Sequence, residues 1–274
     1  MEPTENSPAG PSPEDRAWAL WQDSPWGRLR YHVVARVLAS WTAELGAGLR
    51  VLDAGGGDGR DALPFALAGH DVTVLDRSPE MLALARAAAT AAGVVDRVHT
   101  VNADLEDLAA LAALTRHREG GSGSFDVVLC HDVLQHRSSH QQVRADVAAL
   151  VSSARPGGLV SLLAPNPPAD VVAAVLRDGP AAGWVAVDAE RATDPGTGHT
   201  ALRLAPEFVE DALTEAGCEV GDRAGVLAVT TLLEEAERVD DRVAADLEEL
   251  EVELSGRVPF AGTARYWLLA GRRR

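Results

Sequence analysis

The sequence predicts an α/β fold, a parallel sheet covered by helices on both faces and preceded by a helical cap. Three observations carry that expectation. From Leu49 onward, short apolar or β-branched runs alternate with helical stretches, the pattern of βαβ units. The first run enters a turn of glycines with a helix opening behind it. A chain of 274 residues, 46% hydrophobic and 24% charged, can bury one full core.

Residues 1–14 are rich in Pro, Ser and Glu and read as a disordered tail. They lack a basic start and an apolar core, so no secretory signal is expected. Residues 15–274 read as a single domain, with 15–46 as the helical cap and 47–274 as the core. The cap reads as two helices broken at Ser24-Pro25, carrying Trp18, Trp21, Trp26 and Trp41, four of the six tryptophans. Strands are expected at 50–54, 71–76, 97–102, 125–130 and 159–163. Ser78 and Pro79 signal an N-cap and first helical position after the second strand. Residues 120–124 read as a flexible loop. Further on, Asn166-Pro167-Pro168 marks a turn, 169–177 a short helix and 179–200 a polar loop holding Trp184. A helix over 206–216 ends at Gly217. Strands near 219–230 and 265–270 bracket a helix whose acidic run, 234–253, reads as a solvated face.

Charge restricts the partners. The formal net charge is −16, and all 25 basic residues are arginine. Such a chain repels phosphate backbones at long range, so a nucleic-acid partner would need a local basic patch. The loop 179–200 holds only Arg191, beside Asp188, Glu190 and Asp194. No apolar run approaches the eighteen or so residues of a membrane helix, so no membrane partner is expected. Cys130 and Cys218 lie far apart in apolar surroundings, which suits reduced thiols and a cytoplasmic location. No Cys/His spacing suggests a metal site.

The informative segment is Val51-Leu52-Asp53-Ala54-Gly55-Gly56-Gly57-Asp58-Gly59-Arg60. Glycines let the backbone bend sharply and let a ligand approach it without a Cβ in the way. The next strand ends in Asp76, twenty-one residues after Gly55, where a carboxylate would meet a ribose diol. A dinucleotide fingerprint wants a small residue where Arg60 stands, and a phosphate-binding loop wants a lysine. What remains has an acid on the strand itself. Asp53 would repel a pyrophosphate but suits a ligand bearing an ammonium and a sulfonium. His131 follows the fourth strand, on the side of the sheet where ligands bind if the strand ends there. A lone histidine is also often just a structural hydrogen-bonding group.

This pattern resembles motif I of the class I S-adenosylmethionine-dependent methyltransferases. The chain is further similar to their tRNA 5-carboxymethoxyuridine methyltransferase branch, from about Pro25 to Arg272. The matching pieces are Gly27-Arg28-Leu29-Arg30, the glycine turn, His131-Asp132-Val133-Leu134, Arg155-Pro156-Gly157-Gly158, Asn166, Gly225-Val226 and Arg265-Tyr266. The resemblance implies a Rossmann-like sheet, mostly parallel with the last strand antiparallel, and S-adenosylmethionine as cofactor. It implies that Arg30 binds the methionine carboxylate. Gly55, Gly56, Asp76, Ala103, Asp104 and His131 would complete the cofactor site with Asp53 and Gly57, Asp104 taking the adenine amino group.

On the acceptor side the chain departs from that branch. Asp194-Pro195-Gly196-Thr197-Gly198-His199 replaces a basic stretch, and Leu227, Val229 and Leu232 replace an arginine and two aromatics. An arginine suits a carboxylate or phosphate, and an aromatic suits a stacked base. The expected reaction is therefore methyl transfer to a small polar acceptor, with a carboxylate as one option. Transfer to the wobble uridine of tRNA is the disfavoured second reading, and a catalytically silent cofactor-binding module the third. No catalytic residue is assigned, and His131 is the one candidate base.

Overall fold

The computed structural model describes residues 22–107, 125–193, 200–233 and 241–274. The expected tail, Trp18, Trp21, the loop at 120–124 and the stretch Asp194–His199 lie outside the described residues.

Helix α1 (Pro25–Thr42) opens where the sequence puts the break. Ser24 is its N-cap, accepting from the Gly27 amide at 3.1 Å, and Pro25 follows at the first position. Strand β1 (Arg50–Ala54) then leads through α2 (Leu63–Leu67) to β2 (Asp71–Asp76), α3 (Pro79–Ala91) and β3 (Val98–Asn102). Strand β4 (Phe125–His131), α4 (His140–Ser153) and β5 (Ala154–Pro165) continue the alternation. The seven-stranded sheet runs β3-β2-β1-β4-β5-β9-β8, with β8 (Cys218–Val226) at its edge. Only β9 (Tyr266–Arg273) runs against its neighbours, pairing antiparallel with β5 and β8. Strand order reverses between β1 and β4, which opens a crevice at their carboxyl ends.

Burial on both faces explains the unbroken apolar strands. Leu52, Val128, Cys130 and Leu162 join α4 and α7 (Pro206–Glu215) in one core. Their neighbours Val51, Val127, Leu129 and Leu163 join Leu29, Val33, Val34 and Leu38 of α1 in the other. No helix among the described residues is long and apolar enough to cross a membrane.

Two expectations need correction. Residues 179–200 are not simply a polar loop: α5 (Pro167–Asp178) is followed by α6 (Pro180–Asp188), and β6 (Arg191–Thr193) pairs antiparallel with β7 (Thr200–Leu202). Gly183 obscured this helix. Its missing Cβ would lie 2.4 Å from Val175 Cγ2, so the glycine serves the close packing of α6 on α5. Nor is the acidic run wholly solvated. In α8 (Asp241–Ser255), which packs along α1, Glu251 is 0% exposed and its carboxylate accepts the amides of Ala228, Val229 and Thr230 and the Thr230 hydroxyl.

Candidate functional site

The glycine turn is tied to the neighbouring strand, since the amides of Gly55 and Gly56 both donate to the Leu75 carbonyl, at 2.7 and 3.1 Å. Gly55 has φ +75° and no room for a side chain, because a Cβ would meet Val133 Cγ2 at 2.5 Å. At Gly56 a Cβ would sit 2.4 Å from the Asp53 carboxyl. The Gly57 amide donates to Asp76 Oδ2 at 3.0 Å, and the Ser78 amide to Asp76 Oδ1 at 2.8 Å. A carboxylate has about four acceptor positions, so Asp76 is oriented by the turn with two still to offer.

Asp53 is 1% exposed, and its Oδ2 has no hydrogen-bond partner among the described residues. Burial, then the nearby Asp61, pushes its carboxyl well above the ordinary range, against the pull of Arg30. Such an acid invites a cation.

Arg30 is brought to the same wall but arrives already paired. It is 1% exposed, with Nη1 2.7 Å from both Asp61 oxygens and Nη2 2.9 Å from Asp132 Oδ2, leaving Nε without a partner. Burial works against charge on Asp61, yet Arg30 and His131 hold its carboxyl well below the usual carboxylate range. Asp132, by contrast, is raised by burial despite Arg30. Asp132 also has φ +57°, a left-handed conformation that costs a non-glycine residue about 1–3 kcal/mol. Sequence reasoning missed Asp61 and Asp132. Their signal is a partner 31 or 102 residues away, which no local pattern carries.

His131 is the last residue of β4 and is buried. Its Nε2 lies 3.1 Å from Ser161 Oγ and its Nδ1 3.1 Å from Asp61 Oδ2, so both ring nitrogens face protein oxygens. That arrangement suits a positioned wall residue better than a base awaiting an acceptor proton.

Asp76, Ala103 and Asp104 stand together at the ends of β2 and β3, outside the lining of the main cleft. The Ala103 amide donates to the Asp76 carbonyl at 3.2 Å. Asp104 Oδ1 accepts the Glu106 amide at 3.1 Å, which with Arg137 keeps its carboxyl below the ordinary range.

The cleft itself measures about 1380 Å³. A single ligand commonly occupies about 300–1,000 Å³, so there is room for two. Its inner half is walled by Asp53, the glycine turn, Asp61, His131 and Asp132. Its outer half is built by α5, α6 and the β6–β7 hairpin, and carries Arg177, Arg191, Arg203 and Arg265 against one acid, Asp170. Arg203 ties this half together. It donates to the carbonyls of Ala186, Ala189 and Pro167, while Asp170 takes Arg265 at 2.8 Å. Leu227 is fully buried with φ +60°.

The crevice at the strand-order reversal, with the glycine turn and a buried acid at its inner end, is where an open α/β sheet binds its ligand. Residues 51–158 match the methyltransferase domain family, and the chain belongs to the class I S-adenosylmethionine-dependent methyltransferases. A tRNA 5-carboxymethoxyuridine methyltransferase of Escherichia coli is 31% identical over 254 residues, covering 90% of this chain and 89% of that protein. A ubiquinone biosynthesis O-methyltransferase of Sinorhizobium medicae is 32% identical over 179 residues, 65% of this chain and 63% of its own length. Among solved structures, magnesium protoporphyrin IX methyltransferase from Synechocystis with bound SAH has a TM-score of 0.59 at 18% identity, covering 94% of each chain. That likeness concerns the fold alone.

Proposed function

We propose that the enzyme methylates a small polar acceptor that presents an anionic group. The observation that carries this reading is the division of charge within the cleft. In a chain of net charge −16, the outer half gathers four arginines against one aspartate. A wall of that sign recruits carboxylate or phosphate and fixes its orientation.

S-adenosylmethionine supplies an electrophilic methyl group on sulfur. The unpartnered Asp53 carboxyl fits its cationic portion, and Asp76, held by the Gly57 and Ser78 amides, fits a ribose diol. Gly55, Gly56 and Gly57 let the chain approach without side chains intervening. Ala103 and Asp104 extend the same edge toward an adenine. Arg30, through Nε, completes the wall beside Asp61. Arg177 and Arg191, the exposed arginines of the outer half, hold the acceptor, so the chain's main contribution is alignment. An ionised carboxylate needs no base, so none has to be assigned to His131, whose Nε2 is hydrogen-bonded to Ser161.

Labelled methyl transfer over matched organic acids, alcohols and amines tests the acceptor class. Base-labile ester label in the acids is expected, and label confined to neutral acceptors would overturn the reading. Cofactor binding is tested separately. Asp76→Ala should weaken S-adenosylmethionine binding by about 2 kcal/mol or more in calorimetry, through loss of charge-assisted hydrogen bonds. An unchanged Kd would remove Asp76 from the site.

The second reading, tRNA, is favoured by the 31% identity across 90% of the chain. Charge opposes it. Of the four outer arginines, Arg203 and Arg265 are tied to Asp170 and backbone carbonyls rather than presented as a surface patch. Bulk tRNA should bind with Kd on the order of 10⁻⁴ M or weaker at physiological salt. Submicromolar binding with a steep salt slope in a fluorescence titration would promote the tRNA reading.

A further inference from the structure

The helical pair that roofs the outer half of the cleft leaves an apolar surface uncovered. Leu176 of α5 and Val185 of α6 both line the cleft, yet they are 66% and 76% exposed. Around them the lining is built from small side chains, Ala173, Ala182 and Ala186 among them. Scattered apolar residues on a surface are ordinary. Two large ones lining the same cleft form a receptive patch instead. Their carrier is firmly held: Gly183 lets α6 seat closely against Val175, and Arg203 clamps both helices by their carbonyls. The patch is therefore preformed rather than a product of loose packing.

Cations edge this patch. Arg177 follows Leu176 in α5 and is paired through Nε with Asp178 Oδ2 at 2.7 Å, and Arg191 opens the β6–β7 hairpin, its Nη2 donating to the Ser138 carbonyl at 2.9 Å. Both are exposed and both line the cleft. A ligand matching this wall has one anionic end and an apolar remainder. The cleft volume of about 1380 Å³ leaves space for such a body beside the cofactor. We propose that the acceptor is a free small-molecule carboxylate carried on an extended apolar body. The body lies on Leu176 and Val185, and the acid is turned toward Arg177 and Arg191. This inference rests on the methyl-transfer reading above and narrows its substrate class.

Calorimetric titration of the SAH-saturated enzyme with straight-chain acids from butanoate to dodecanoate, and with the matching alcohols, tests it. Affinity should rise about fourfold per methylene while the chain is being buried. Acids should bind about tenfold more tightly than alcohols of equal length. Leu176→Ser with Val185→Ser should flatten the chain-length slope without altering circular dichroism. Arg177→Gln with Arg191→Gln should bring acids down to the alcohols. A flat series, or equal binding of acids and alcohols, overturns the proposal. Sedimentation showing a dimer that Val185→Ser dissolves, together with a flat series, would assign the patch to a second copy of the chain. Uptake only from vesicles would assign it to a lipid surface. If SAH itself fails to bind, the underlying reading falls, whereas tight SAH binding with a flat series defeats this inference alone.

Discussion

Replacing Arg30 by alanine is expected to destabilise the fold by about 3–5 kcal/mol at neutral pH, because it strands two buried carboxylates. The Asp61 and Asp132 side chains are each 10% exposed, and Arg30 is the cation shared between them. Their pH behaviour gives a second check. In the intact protein Asp61 is depressed below its unfolded value of about 3.9. Its contribution is thus present above that value and lost as pH falls through the lower folded one. Without Arg30 the same burial raises both carboxyls, so the variant's folded state takes up protons early and recovers relative stability on acidification. The gap between intact protein and variant should therefore shrink between pH 7 and about pH 4.5 in urea titrations. A gap under about 1 kcal/mol at pH 7, or one that widens in acid, would refute the paired-cation account. Adding Asp61→Asn to Arg30→Ala should restore part of the loss, as coupled neighbours do.

Glu251→Ala should cost about 3–5 kcal/mol as well, for a different reason. The left-handed Leu227 turns three successive amides, those of Ala228, Val229 and Thr230, toward one carboxylate. Such a concavity of amides ordinarily holds an anion. Here α8 supplies it, which pins that helix, and α1 beneath it, against the end of β8. Glu251→Gln should cost less, about 2 kcal/mol, since one amide oxygen remains while the new NH₂ faces a donor. Urea unfolding measures both, and hydrogen exchange at residues 228–230 should accelerate in parallel. Protection unchanged in the alanine variant would show that the helix is held elsewhere.

The part of this molecule legible in the sequence is the part governed by local pattern. Strands β1 and β2 fall where alternation puts them, Ser78 caps α3 as its side chain dictates, and the glycine turn announces a close backbone approach. Asp76 stands where the spacing puts it, at the end of β2 against the Gly57 and Ser78 amides. Helix α6 was hidden because Gly183 answers to Val175, a contact that propensity does not register. The same holds for Glu251: an acid within an acidic run looks solvated until three amides are folded onto it. Arg30 was identified as a site residue, but its two acids come from separate segments and became visible only in three dimensions. The arginine wall escaped for the same reason. A basic patch was sought within one loop, whereas Arg177, Arg191, Arg203 and Arg265 converge from α5, the β6–β7 hairpin and the approach to β9.

Asp53 and Gly56 share one space, the carboxyl of the first filling the volume that a Cβ on the second would need. Inheritance has to treat them as one character. A lineage that changes Gly56 to alanine first meets the carboxyl at 2.4 Å and suffers an overpacking penalty of about 1–3 kcal/mol. One that shortens Asp53 first gives up the buried acid before any compensation exists. The order of change is therefore constrained, the glycine being free to gain a side chain only after the acid has gone. The outer arginines carry no such uniform constraint: Arg177 and Arg191 are exposed, whereas Arg203 is bound to three carbonyls that hold both helices.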